Sequence, residues 1–108
     1  MTVNELAKNI KCRALSLPDG EREVCGVYIG DLLSWVMGRA SEGDAWITIM
    51  SNINTVAVAT LADVSCIILA EGVSLDDEVL AVAKEKGVNV LTTEMSAYNT
   101  AVALHGII

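Results

Sequence analysis

The sequence predicts an α/β domain of three layers, a mostly parallel sheet covered on both sides by helices. Three observations carry that expectation. Residues 45–49, apolar but for Thr48, and 66–70 are runs of strand length; without polar alternation, both faces of such strands are buried. Helical patterns alternate with strands over the last three quarters of the chain, which implies right-handed crossovers between parallel strands. The 53% apolar content is Ala, Val, Ile and Leu, with no Phe, two Trp and two Tyr, a composition for strands packed on helices rather than an aromatic β sandwich. At 108 residues the chain suits one core, so residues 1–108 are read as a single domain.

Thr2 followed three residues later by Glu5 is a capping-box spacing, so a helix is expected over residues 3–9. Residues 11–17 alternate weakly and form a candidate first strand, closed by the turn Pro18-Asp19-Gly20. Residues 23–29, with Val24, Val27, Tyr28 and Ile29, read as the next strand, ending at Gly30-Asp31. Asp31 is placed to cap a helix through Leu32, Leu33, Trp35, Val36 and Met37, with Gly38 as its stop. Glu42-Gly43-Asp44 turns into the buried strand 45–49, residues 50–55 read as an irregular polar loop, and residues 56–61 as a crossover helix. After the strand 66–70, Ser74 with Asp77 caps a helix that ends at Lys84-Glu85-Lys86-Gly87. Residues 88–91 are the last strand, 92–95 a loop, and Ser96 caps a final helix to about His105.

Seven basic and fourteen acidic residues leave a formal charge of −7, which repels a phosphate backbone and argues against nucleic acid as a partner. Apolar runs such as residues 66–70 fall far short of a bilayer span, and Met1 does not open a basic and apolar leader. No membrane association is expected, and the location is read as cytoplasmic. Cys12, Cys25 and Cys66 form no CxxC and lie far along the chain from the single histidine, His105; no metal, disulfide or cofactor is expected. Cys66 is read as a small buried hydrophobe. GxxxxGK[ST] and GxGxxG are both missing, which excludes nucleotide hydrolysis by the usual phosphate loop.

In an open parallel sheet, ligands bind where loops converge outside the carboxyl ends of the strands. Four loops qualify: Gly30-Asp31, residues 50–55, Glu71-Gly72-Val73, and residues 92–96. The second concentrates Ser51, Asn52, Asn54 and Thr55, side chains that both donate and accept, and that equally serve as a helix cap and turn. Glu71 beside Gly72 can accept from a ligand hydroxyl or stand as a solvated acid, and Asp31 is first of all a helix cap. Thr92, Thr93 and Ser96 can surround an anion, which Glu94 among them opposes. Candidate ligand-binding residues are therefore Asp31, Ser51, Asn52, Asn54, Thr55, Glu71, Gly72, Thr93 and Ser96. His105 is read as a helix-end residue favoured by the dipole, distant from any nucleophile. Trp35 and Met37 are read as core, with an exposed dimer contact as the alternative.

Residues 22–105 resemble the DRTGG domain through Glu42-Gly43-Asp44-Ala45-Trp46-Ile47-Thr48, Ile67-Ile68-Leu69-Ala70-Glu71-Gly72, residues 76–91, and Ser96-Ala97-Tyr98-Asn99-Thr100-Ala101. The resemblance implies a small regulatory module, found alone, in some phosphate acetyltransferases, and beside CBS domains in some pyrophosphatases. It also implies a fold similar to the amino-terminal domain of HPr kinase, without that enzyme's kinase machinery. The family's Asp-Arg pair would fall within residues 51–54 and its Thr-Gly-Gly at residues 70–72, where only Gly72 is kept. The chain is thus read as a stand-alone, divergent member.

From these readings the expected function is a non-catalytic regulatory or sensory domain. It would be a homodimer, binding a small metabolite such as a nucleotide, or a regulatory protein partner, at the strand-end loops. A module for protein interaction and dimerisation alone, through the helix around Trp35 and Met37, is the alternative. A third reading, an enzyme with Asp31 or Glu71 as base, is opposed by the lack of a partner group for either.

Overall fold

Thr2 opens the first helix as its spacing predicts. Its hydroxyl accepts from the Glu5 amide at 3.1 Å and the Glu5 carboxylate accepts from the Thr2 amide at 2.9 Å, so two end groups satisfy each other. The Thr2 amide, then its hydroxyl, hold the Glu5 carboxyl below its ordinary value of 4.5. A computed structural model describes residues 1–108. Its elements are α1 (Val3–Asn9), β1 (Arg13–Ser16), β2 (Gly26–Ile29), α2 (Leu33–Arg39), β3 (Asp44–Thr48), α3 (Ile53–Ala62), β4 (Cys66–Leu69), α4 (Asp77–Glu85), β5 (Val90–Thr92) and α5 (Ala97–His105).

The strands form one sheet in the order β1-β5-β4-β3-β2. β2 to β5 run parallel, and β1 lies antiparallel on the outside of β5, with Arg13 opposite Thr92. Because strand side chains alternate between faces, the buried runs divide cleanly. Trp46, Ile67, Leu69 and Val90 pack against α2, α3 and α4, while Ala45, Ile47, Cys66, Ile68 and Leu91 pack against α1 and α5. The fold class is therefore the expected one, α/β in three layers with a mostly parallel sheet.

Several boundaries differ from the sequence expectation, each for a local reason. Asp31 does not cap α2: the cap position is Leu32, without a side-chain hydrogen bond. Asp31 Oδ1 instead accepts from the Thr48 hydroxyl at 2.8 Å and the Ile49 amide at 3.0 Å. Gly38 does not stop α2, which runs on to Arg39. Half of the expected loop 50–55 is helix, because Asn52 accepts from the Thr55 amide at 3.2 Å and starts α3 at Ile53. Asp76, rather than Ser74, caps α4 by accepting from the Val79 amide at 2.9 Å. Ser96 caps α5 as expected, accepting from the Asn99 amide at 3.1 Å. Trp35 and Met37 are not core residues: Trp35 is 52% exposed and only Val36 between them is buried. Arg39 covers part of the Trp35 ring, its guanidinium carbon 3.6 Å from the ring centroid, a cation–π contact.

Cys66 is buried as expected. Burial pushes its thiol up to about 12, only partly offset by a hydrogen bond from Ser65. Burial also raises Cys12, whereas Cys25 is exposed. Since the thiolate is the reactive form and the thiol is shut off from solvent, Cys66 should be alkylated far more slowly than an exposed thiol near pH 8. Mass spectrometry after timed iodoacetamide treatment should find Cys25 modified first and Cys66 only after denaturation. Equal labelling of Cys25 and Cys66 in the folded protein would contradict this packing.

Candidate functional site

The helices after β2, β3 and β4 all return over one face of the sheet, whereas α5, leaving β5, crosses to the other. The loops after β4 and β5 therefore diverge, and crevices open at such points of divergence in α/β sheets. The loop after β4 begins with Glu71 and Gly72, both left-handed at φ 60° and 72°. Glu71 donates its amide to the Met95 carbonyl at 2.9 Å and Gly72 to the Thr93 carbonyl at 2.8 Å, stitching the two loops at their base. The left-handed φ of 72° favours glycine at position 72, and a Cβ there would stand 2.5 Å from Glu94 Oε2, an exposed side-chain end that could swing aside.

The antiparallel direction of β1 brings its first residues to this same edge. The buried Thr93 hydroxyl donates to the Lys11 carbonyl at 2.6 Å and accepts from the Met95 amide at 3.2 Å. Thr92 donates to the Val73 carbonyl at 2.6 Å. Between the start of β1 and the loop after β5 lies a cavity of about 340 Å³, lined by Lys11, Cys12, Arg13, Thr92, Thr93 and Glu94. Neither Lys11 nor Arg13 is in an ion pair, since the two pairs of the structure are the amino terminus with Glu23 and Arg22 with Asp63. This cavity, which no residue of the loop after β4 lines, thus carries two free cations and one carboxylate.

Of the residues expected at the site, Glu71, Gly72, Thr93 and Ser96 lie on the two diverging loops. Asp31, Ser51 and Asn52 cluster instead at the ends of β2 and β3, where Asp31 ties the two strands together. Asn54 is exposed on the first turn of α3, and Thr55 is fully buried beneath it. Glu71 is exposed. Lys11, Cys12 and Arg13 were not expected. The available signal was that two of only seven basic residues flank Cys12, but nothing local reveals which end of the sheet the first strand faces. No three His, Cys, Asp or Glu side chains come together as metal ligands, and no helix is long and apolar enough to cross a membrane. His105 is exposed in the last turn of α5.

A structure of the CBS and DRTGG domains of the regulatory region of Clostridium perfringens pyrophosphatase, complexed with the activator diadenosine tetraphosphate, shares this fold. The TM-score is 0.75 at 17% sequence identity, over 95% of this chain and 45% of that one. This protein thus spans less than half the length of that chain. No curated protein matches the sequence. The family model for the DRTGG domain matches residues 5–107. With nearly its whole length covered, the protein belongs to the DRTGG domain family.

Proposed function

We propose that this domain is a non-catalytic regulatory module that binds a small anionic metabolite, of the nucleotide class, in the cavity between the start of β1 and the loop after β5, and that it works as a cytoplasmic homodimer. The carrying observation is the cavity of about 340 Å³ with the unpaired cations Lys11 and Arg13 on one side and Glu94 on the other. The cations suit a phosphate group, and Glu94 suits hydroxyl donors such as those of a ribose. The resemblance to a regulatory region whose structure holds a dinucleotide activator supports this class of ligand. A non-catalytic role is supported by the engagement of Asp31 in strand-end hydrogen bonds. His105 closes α5, roughly 13 Å of helix away from Ser96.

Thermal unfolding with adenine and guanine nucleotides, dinucleoside polyphosphates and acyl phosphates tests the reading. A ligand at 100 times its Kd adds about 2.7 kcal/mol to stability, several degrees in Tm for a domain of this size. The double substitution Lys11→Ala with Arg13→Ala should abolish that rise while leaving the unliganded Tm within about 1 °C, because both side chains are exposed. A panel without any stabilising compound rejects the metabolite reading. A full rise retained in the double variant moves the site elsewhere.

A further inference from the structure

α3 meets solvent without a charge. Its ten residues, Ile53–Ala62, include no Asp, Glu, Lys or Arg, although the chain holds seven basic and fourteen acidic side chains. A surface helix ordinarily turns charged and polar residues outward. Of the exposed residues of α3 only Asn54 and Thr60 are polar, and Leu61 is 71% exposed. Ile53, Ala57, Thr60 and Leu61, three and four residues apart, form one stripe along the helix.

The stripe borders α4 without filling the space between the two helices. Ala57 and Thr60 are short, and the Thr60 hydroxyl turns back to donate to the Val56 carbonyl at 3.1 Å. A groove of about 390 Å³ is left, lined by the stripe and Val56 on one side and by Val82 of α4 and Lys86 on the other. Small-molecule sites hold roughly 300–1,000 Å³ and combine apolar walls with a few placed polar groups, and this groove has that size and that make-up. Lys86 is the one charged residue on it and belongs to neither ion pair of the structure. Its chain neighbours Lys84, Glu85 and Gly87 are exposed and do not line the groove.

We infer that the groove between α3 and α4 is a second binding site, for a small amphipathic carboxylate. Its apolar tail lies along Ile53, Ala57 and Leu61, and its head meets the Lys86 ammonium. The walls select the tail, because apolar surface gains by leaving water. Charge selects the head. No carboxylate lines the groove, so an anion meets only Lys86 there, whereas a cationic head meets a like charge. One ammonium balances one negative charge, and a polyphosphate would carry its excess into a domain of net charge −7. The site is thus distinct in chemistry from the cavity beside β1, with which it shares no residue.

Octanoate is the probe, with octanol and octylamine carrying the same tail under a neutral and a cationic head. Titration of the full chain, followed by the amide signals in heteronuclear magnetic resonance spectra, tests the site. Octanoate should shift signals of α3 and the end of α4 saturably. Lys86→Gln should weaken it about fivefold, the upper end for an exposed ion pair, to the affinity of octanol for the parent. Octylamine should bind the parent more weakly than octanol. Ala57→Phe, at an exposed position, fills the groove and should abolish the shifts with unchanged circular dichroism. Lys11→Ala with Arg13→Ala should leave octanoate binding as it is, which separates this groove from the cavity beside β1. Octanoate that leaves α3 and α4 unshifted, or binds the folded Ala57→Phe variant in full, overturns the site. Octylamine binding as tightly as octanoate, or octanoate binding unchanged by Lys86→Gln, overturns the anionic head.

Discussion

Replacement of Trp46 by alanine should lower the unfolding free energy by about 3–5 kcal/mol, the range for removing a large aromatic from a core. Trp46 is 0% exposed, the largest buried side chain, and sits among Val36, Val56, Ile67 and Leu69 on the face covered by α2 and α3. Its indole N–H also donates to the Gly30 carbonyl at 2.8 Å, so truncation removes packing and leaves that carbonyl without its partner. Against the 5–15 kcal/mol that stabilises a typical domain, such a loss drops the urea midpoint by a large fraction. Trp46→Phe separates the two contributions. It keeps most of the volume and loses the hydrogen bond, so about 1–2 kcal/mol is expected. Urea unfolding followed by far-ultraviolet circular dichroism checks both variants, and a Trp46→Ala loss below about 1 kcal/mol would be incompatible with this core. The consequence reaches the carboxyl edge, because the bond to Gly30 holds the end of β2 on which Asp31 and its contacts to Thr48 and Ile49 depend.

The second large effect lies at the other end of the sheet and works through hydrogen bonds alone. Asn89 is buried; its amide oxygen accepts from the Asp19 amide at 2.9 Å, while its amide nitrogen donates to the Asp19 carbonyl at 2.7 Å and the Ser65 carbonyl at 3.0 Å. One side chain thereby joins the turn after β1 to the residues that lead into β4 and β5. Asn89→Ala leaves three backbone groups without partners, each worth about 1–3 kcal/mol where water cannot replace the bond. Asp19 is exposed and rehydrates readily, so a total near 3 kcal/mol is expected. The same variant should speed amide hydrogen exchange in the turn at residues 18–20, whereas Trp46→Ala should not act there first. Loss of stability without faster exchange in that turn would refute the joint that Asn89 is said to make.

The two variants mark what local sequence could and could not express. Trp46 stands in an apolar run flagged for burial on both faces, and the structure buries it completely. Asn89, by contrast, reads as one polar residue near a turn, and its three partners lie 24 and 70 residues away. Caps followed the same division. Thr2 and Ser96 were legible because their partners sit three residues on. Asp31 was misread because its carboxylate finds the Thr48 hydroxyl and the Ile49 amide across the sheet rather than the helix beside it. The expected loop at residues 50–55 shrank because Asn52 caps α3 and draws Ile53, Asn54 and Thr55 into helix.

By itself, the sequence determined the α/β class, the strands β3 and β4 with both faces buried, the helices between them and the family resemblance. All of these rest on periods and motifs within a few residues of the chain. Only the tertiary structure decided that β1 runs antiparallel to β5 and that α5 crosses to the opposite face from α2, α3 and α4. Those two choices separate the loop after β5 from the end of β3 and bring Lys11 and Arg13 beside Thr92, Thr93 and Glu94. The physical reason is that side-chain alternation records which residues of a strand are buried. It does not record the direction of the strand or its neighbour, which are set by hydrogen bonds and packing between segments as far apart as Lys11 and Thr93.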